Sequence, residues 1–286
     1  MKVTADLVKE LRERTGGGML ECKKALDAAN GDLEAAVDAM RKAGQAKAAK
    51  KIGRVAAEGL ILINFAVDNK AAFMVEVNCE TDFVARDANF KNFVEMVAKR
   101  GLETKANSME GLLSEPSLTQ AREQLVAKIG ENIQIRRVVF KTTAHYLASY
   151  VHGSRIGVLV EMSTNDAELG KDIAMHIAAT APQFIAPKDV LESEIERERN
   201  IYLGQAMASG KPKEIAEKMV AGRMQKFLAE ITLLGQPFVK NPDITVGDLL
   251  KSKQAEVLSF IRFAVGEGIE KKTVDFATEV ASIAKA

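Results

Sequence analysis

The chain has 286 residues, of which 47% are hydrophobic, enough for two domains or for one core with appendages. Lys and Arg number 40 against 39 Asp and Glu, a net charge of +1, so no global field favours nucleic acid and binding to a polyanion needs a local patch. Cys22 and Cys79 are the only cysteines and fall in different predicted modules, which argues against a disulfide framework or a structural zinc site and points to a reducing cytoplasm. No apolar run approaches the roughly 20 residues of a membrane span, so neither export nor a membrane partner is expected.

From the N-terminus, Thr4 is a good N-cap for a helix with Leu7, Val8 and Leu11 at helical spacing, stopped by Thr15-Gly16-Gly17-Gly18. Met19, Leu20, Ala25 and Leu26 mark a second helix that ends at Asn30-Gly31. Asp32 then caps a third, with Leu33, Ala36, Val37 and Met40 on one face. The Ala, Lys, Gly and Gln stretch from Ala43 to Gly53 reads as a linker or a solvated helical extension. Its positive charges, Lys42, Lys47, Lys50, Lys51 and Arg54, form either a solvated face or a contact for an acidic partner.

A hairpin follows, Leu60 to Phe65, a turn at Val67-Asp68-Asn69-Lys70, and Ala71 to Val77, in which Phe73, Val75 and Val77 alternate. The strand breaks into Asn78-Cys79-Glu80-Thr81-Asp82-Phe83-Val84-Ala85-Arg86, and a helix then opens at Asp87-Ala88-Asn89 with Phe90, Phe93, Val94 and Val97 on one face. Phe83 is anomalous in this polar loop. It either plugs its own core, where most Phe side chains go, or fills a pocket in another molecule. Ile133 to Phe140 alternates as a further strand, giving a three-stranded sheet covered by helices.

The same plan recurs. Leu147 to Val151, a turn at His152-Gly153-Ser154-Arg155, Ile156 to Met162, a helix from Glu168 to Thr180 and a closing strand Val257 to Val265 repeat strand, turn, strand, helix and distant strand. Only the first copy spends Cys79 to Ala88 on the connection that the second closes with Ser163-Thr164-Asn165-Asp166, and extra loop length on a repeated scaffold is where function is usually grafted. Between helix and last strand of the second copy, Pro187-Lys188-Asp189 opens one helix, Ser209-Gly210-Lys211-Pro212 breaks it, and Ile215, Met219, Met224 and Phe227 mark its return, an antiparallel coiled-coil hairpin. Thr273 to Lys285 suggests a terminal amphipathic helix.

Catalytic constellations are missing from the pattern. Gly16-Gly17-Gly18 has no Gly-Lys-Ser/Thr after it and follows a helix, and Gly153-Ser154-Arg155-Ile156-Gly157 sets its Ser one position early for a nucleophile elbow. His145, His152 and His176 lack metal-ligand spacing. His176 sits among apolar residues as a structural histidine, whereas His152 occupies a turn and points outward. Glu80 and Asp82 could hold Mg²⁺, but two ligands in a loop make a poor site. The expectation is a protein that breaks no covalent bond, with no catalytic residue, no metal site and no cofactor.

The segment Asn78 to Arg86 closely resembles the loop of the elongation factor Ts family, nucleotide exchange factors of the translational GTPase elongation factor Tu. Leu7-Val8-Lys9-Glu10-Leu11-Arg12-Glu13-Arg14-Thr15-Gly16 with Cys22-Lys23-Lys24-Ala25-Leu26, then Gly210 to Met219 and Val265 to Lys271, resemble further family signatures in the family's order. Residues 103–125 depart most, and no role is carried over to them. The resemblance implies an α+β chain: a ubiquitin-associated-like three-helix module and linker (1–54), a first sheet-and-helix subdomain with the intrusive loop (55–141), a second (142–266) interrupted by the coiled-coil hairpin (189–230), and a C-terminal helical module (267–286).

It further implies a cytoplasmic translation factor that binds elongation factor Tu·GDP. Thr81, Asp82, Phe83 and Val84 would enter near the GTPase's Mg²⁺ site, Phe83 as a wedge and Asp82 against a neighbouring helix. Ile129 and Gly130 match further partner-facing positions, as does His152 through Tyr150-Val151-His152-Gly153. The alternative is a ribosome- or RNA-associated module that uses the Lys-rich stretch. Oligomeric state, including a homodimer or a two-plus-two complex with the GTPase, stays open.

Overall fold

The computed structural model describes residues 3–208 and 212–270. The chain is of the α+β class and divides into two compact units, one made of residues 3–64, 73–140 and 264–270, the other of 65–72, 141–208 and 212–263. No helix among the described residues is long and apolar enough to cross a membrane.

The first unit opens with α1 (Ala5–Thr15), α2 (Met19–Ala28) and α3 (Leu33–Lys51). Thr4 Oγ1 accepts from the Leu7 N–H at 3.3 Å, Asp32 Oδ1 from Ala35 at 3.0 Å, and Gly16 ends α1 at φ 68°, a left-handed position that costs glycine nothing. Val8, Leu11, Cys22, Leu26 and Ala36 form the core between these helices. The stretch after Ala43 is the last part of α3, and its Gly44 and Ala48 are buried. A Cβ built on Gly44 would stand 3.5 Å from that of Ala127, so small residues let two helices approach closely. An apolar stripe of large residues is therefore unnecessary there.

β1 (Glu58–Phe65), β2 (Ala71–Cys79) and β3 (Gln134–Thr142) form a sheet in the order β1-β2-β3. Between β2 and β3 run α4 (Asp82–Arg86), α5 (Ala88–Thr104), α6 (Met109–Leu113) and α7 (Pro116–Ile129). Phe73, Val75 and Val77 of β2 pack with Phe90, Phe93, Val94 and Val97 of α5 and with Leu118, Leu125 and Val126 of α7. The Phe73 ring lies against the backbone of α5: a Cβ on Gly101 would meet its Cζ at 2.2 Å. Residues 103–125 thus supply α6 and most of α7, with Ser108 as N-cap of the former and Pro116 opening the latter.

In the second unit β4 (Tyr146–His152) and β5 (Ile156–Met162) pair antiparallel, Tyr146 opposite Met162 and His152 opposite Ile156. α8 (Ala167–Thr180) follows, then α9 (Glu192–Ala208) and α10 (Lys213–Ile231), which pack through Ala206, Ala216, Val220 and Met224. Pro187–Asp189 is a separate 3-10 turn, held by the Ala186 N–H donating to Asp189 Oδ2 at 2.9 Å, so the first hairpin helix begins at Glu192 instead of Pro187. A small pair that the alternation did not announce, β6 (Pro237–Phe238) and β7 (Asn241–Thr245), leads to α11 (Val246–Ser252) and β8 (Val257–Ala264), and the sheet order is β4-β5-β8. Val158, Val160, Leu169, Ile173, Ile177, Phe238 and Leu250 form its core. Ser209, Gly210 and Lys211 of the expected hairpin turn, and the terminal helix expected from Thr273 to Lys285, lie outside the described residues.

Candidate functional site

Where β2 leaves its sheet, Thr81 takes an extended conformation and caps a five-residue helix, its Oγ1 accepting from the Val84 N–H at 3.3 Å. The connection expected as a loop is therefore a helical turn. One residue later Asp87 caps α5, accepting at Oδ1 from Asn89 at 2.8 Å and from Phe90 at 3.3 Å. The Asn89 side-chain bond, joined by these backbone bonds, holds the Asp87 carboxyl below the usual carboxylate range. A single turn of helix cannot hold itself in water, because nucleation costs more than one hydrogen bond returns. Anchors at both ends and on its inner side supply what is missing.

That inner side carries Ala85, 5% exposed, and Val84, half-buried against the core of the first unit. Phe83 is turned the other way and is 79% exposed. It does not plug its own core. Asp82 beside it pairs with Arg86 at 2.9 Å, the arginine side chain largely and the aspartate side chain about half in solvent. Exposed pairs four residues apart on a helix stabilise by only ~0.3–0.5 kcal/mol, so Asp82 can exchange Arg86 for another partner at little cost.

The turn is braced from the far end of α7. Gly130 stops that helix at φ 83°, and Glu131 then directs its carboxylate at the start of α4. Its Oε2 accepts from the backbone N–H groups of Glu80 at 3.0 Å and Thr81 at 3.1 Å, and its Oε1 from the Thr81 hydroxyl at 2.7 Å. Glu80 returns the contact, its Oε1 accepting from the Asn132 N–H at 2.6 Å while Oε2 pairs with Arg54 at 2.9 Å. Asn132, 1% exposed, donates from Nδ2 to the carbonyl oxygens of Arg54 at 2.7 Å and Ile52 at 3.2 Å. The chain leaving α3 is thus tied to the same knot.

Of the residues singled out in the sequence, Thr81, Asp82, Phe83 and Val84 share this unit with Ile129, which is half-buried on the same core, and with exposed Gly130. His152 belongs to the second unit. It ends β4, exposed, with Nδ1 3.1 Å from the Tyr150 hydroxyl, and Gly153 and Ser154 turn the chain at φ 53° and 58°. Glu80 and Asp82 do not act as a pair, since each carboxylate has its own partner. Among the described residues no three His, Cys, Asp or Glu side chains gather as metal ligands would. Of the basic run, Lys47 pairs with Glu21 and Arg54 with Glu80, while Lys42 and Lys50 stay exposed. Sequence reading missed Glu131 and Asn132, which stand some fifty to eighty residues from the groups they hold. The one local signal is a carboxylate directly after a helix-stopping glycine.

Relatives that match the chain from end to end place it in the class of elongation factors. A family model described as elongation factor TS matches residues 80–267. Elongation factor Ts of Photorhabdus laumondii is 58% identical over 283 residues, covering 99% of each chain. That of Idiomarina loihiensis is 55% identical over 284 residues, 98% of this chain and 97% of its own. The protein of the same name from Halorhodospira halophila is 54% identical over 284 residues, 98% of either chain. The chain belongs to the elongation factor Ts family.

Proposed function

We propose that this chain is a guanine-nucleotide exchange factor that binds elongation factor Tu·GDP in the cytoplasm and promotes release of GDP so that GTP can bind. The observation that carries the reading is Phe83, a large aromatic held 79% exposed on a turn anchored through Thr81, Val84 and Ala85. Large exposed aromatics on rigid supports are the side chains that dominate interface energies, because little ordering entropy is lost when they are buried in a partner. Phe83 acts as a wedge between side chains of the GTPase, and Asp82 trades its weak pairing with Arg86 for a helix of the partner. Thr81 and Val84 hold the turn. The GTPase's Mg²⁺ and phosphate-binding loop then lose their geometry, and the nucleotide leaves.

Ile129, Gly130 and His152 add contacts that keep the factor in place while the nucleotide site opens. Exchange of this kind is linkage: nucleotide and factor weaken each other's binding by the same factor, so each displaces the other and no covalent bond is made or broken. The test adds the protein in substoichiometric amounts to the GTPase loaded with fluorescent GDP. Release speeds up by orders of magnitude, with the final distribution of GDP and GTP unaltered. Release that stays at its spontaneous rate over a broad range of factor concentration refutes the proposal.

A further inference from the structure

Three contacts converge on Glu131 from one short segment: the Glu80 and Thr81 N–H groups on Oε2 and the Thr81 hydroxyl on Oε1. Because that hydroxyl donates its proton to Glu131, its lone pairs are left to accept from the Val84 N–H, the bond that caps α4. Glu131 therefore orients the cap as well as the backbone entering it. The contact is reciprocal, since the Glu80 carboxylate accepts from the Asn132 N–H at 2.6 Å. Residues 80–81 and 131–132 form a clasp in which each side supplies a carboxylate and each side supplies backbone donors. Bonds from neutral donors to a carboxylate are stronger than bonds between neutral groups. A turn five residues long has nothing comparable of its own.

We infer that Glu131 is a positioning residue for nucleotide exchange: through Thr81 it sets the direction in which α4 presents Phe83, and it acts on the GTPase only by way of that ring. The inference rests on the exchange reading of Phe83, but part of its test needs no partner. In the full chain labelled with ¹⁵N and ¹³C, Glu131→Ala removes the low-field shifts of the Glu80 and Thr81 amide protons and moves the Cα shifts of residues 82–86 toward coil values, while α5 keeps its helical shifts. Glu131→Gln retains one carbonyl oxygen as acceptor and falls between the two. Helical shifts for 82–86 that survive in Glu131→Ala overturn the inference, whatever the GTPase does.

With the GTPase, a misdirected wedge slows the step it drives more than it weakens binding. Glu131→Ala lowers the maximal rate of GDP release by ~10-fold or more. The factor concentration that gives half-maximal release stays within about 2-fold. The deciding variant is Glu131→Ala combined with Phe83→Ala, compared with Phe83→Ala alone. Acting only through Phe83, Glu131 has nothing left to position, and the two release GDP equally slowly. A further loss in the double variant, close to that of Glu131→Ala alone, means that Glu131 acts independently and overturns the inference. Should the unaltered chain fail to speed release, the exchange reading falls, and the shifts of residues 82–86 still decide whether the clasp orients the turn.

Discussion

Replacing Phe83 with Ala separates the work a residue does for its own fold from the work it does for a partner. Fully burying a Phe side chain stabilises by up to about 3 kcal/mol. Phe83 is 79% exposed, so only about a fifth of that, near 0.5 kcal/mol, is at stake in the free chain. The better helix propensity of Ala returns a few tenths of it. For a chain of this size the thermal midpoint then falls by less than about 1 °C. Phe73, fully buried beneath α5, is the internal contrast, and its truncation costs ~3–5 kcal/mol. In a complex, an aromatic anchor is worth ~2 kcal/mol or more, which is roughly a 30-fold loss in the rate of GDP release. The assay is a melt and a GDP-release time course on one preparation. A Phe83→Ala protein that melts many degrees lower yet releases GDP normally per folded molecule would show that the ring serves its own core, against the exposure on which the reasoning stands.

Gly101→Ala places a methyl 2.2 Å from the Phe73 ring, with the β2 strand behind the ring and helical backbone behind the glycine, so overpacking destabilises by ~1–3 kcal/mol or more in a urea melt. A midpoint equal to that of the unaltered chain would refute the close approach of α5 to β2. His176 concerns acid stability: burial lowers its pKa from 6.5, against the opposing Gln236 bond, and its Nδ1 accepts from the Val239 N–H at 3.2 Å, leaving the proton on Nε2 toward Gln236 Oε1 at 2.9 Å. The folded pKa lies below the unfolded one, so the stabilisation is present above pH 6.5 and is lost as pH falls through the folded value. Measured between pH 8 and pH 5, the unaltered chain loses more stability than His176→Gln, and an equal loss in the two would refute the assignment.

Periodicity and caps along the chain indicated many of its strands and helices, because those signals are local, but not α6, α7 or α11. Phe73, Val75 and Val77 lie on β2, the Phe90, Phe93, Val94 and Val97 stripe lies on α5, and Thr4, Asp32 and Asp87 each cap the helix that follows them. Local signals failed where small or short elements depend on distant partners. The Ala- and Gly-rich end of α3 looks unable to bury anything until Ala127 of α7 is placed beside Gly44, and β6 is too short for alternation to register.

The candidate site divides in the same way. That Asn78 to Arg86 carries one aromatic too many for a polar connection is visible in the residues themselves, and so is the family they resemble. Whether the aromatic turns inward or outward is not, because both outcomes satisfy the same local pattern. Tertiary structure settled it by putting Ala85 and Val84 on the core side of a single helical turn, which leaves Phe83 in solvent, and by bringing Glu131 across from the end of α7 to hold the cap. Hydrogen bonds of a side chain to backbone groups fifty residues away carry no periodicity and demand no particular neighbour in sequence. They exist only once two segments have been packed side by side, and here that packing decides where the aromatic ring points.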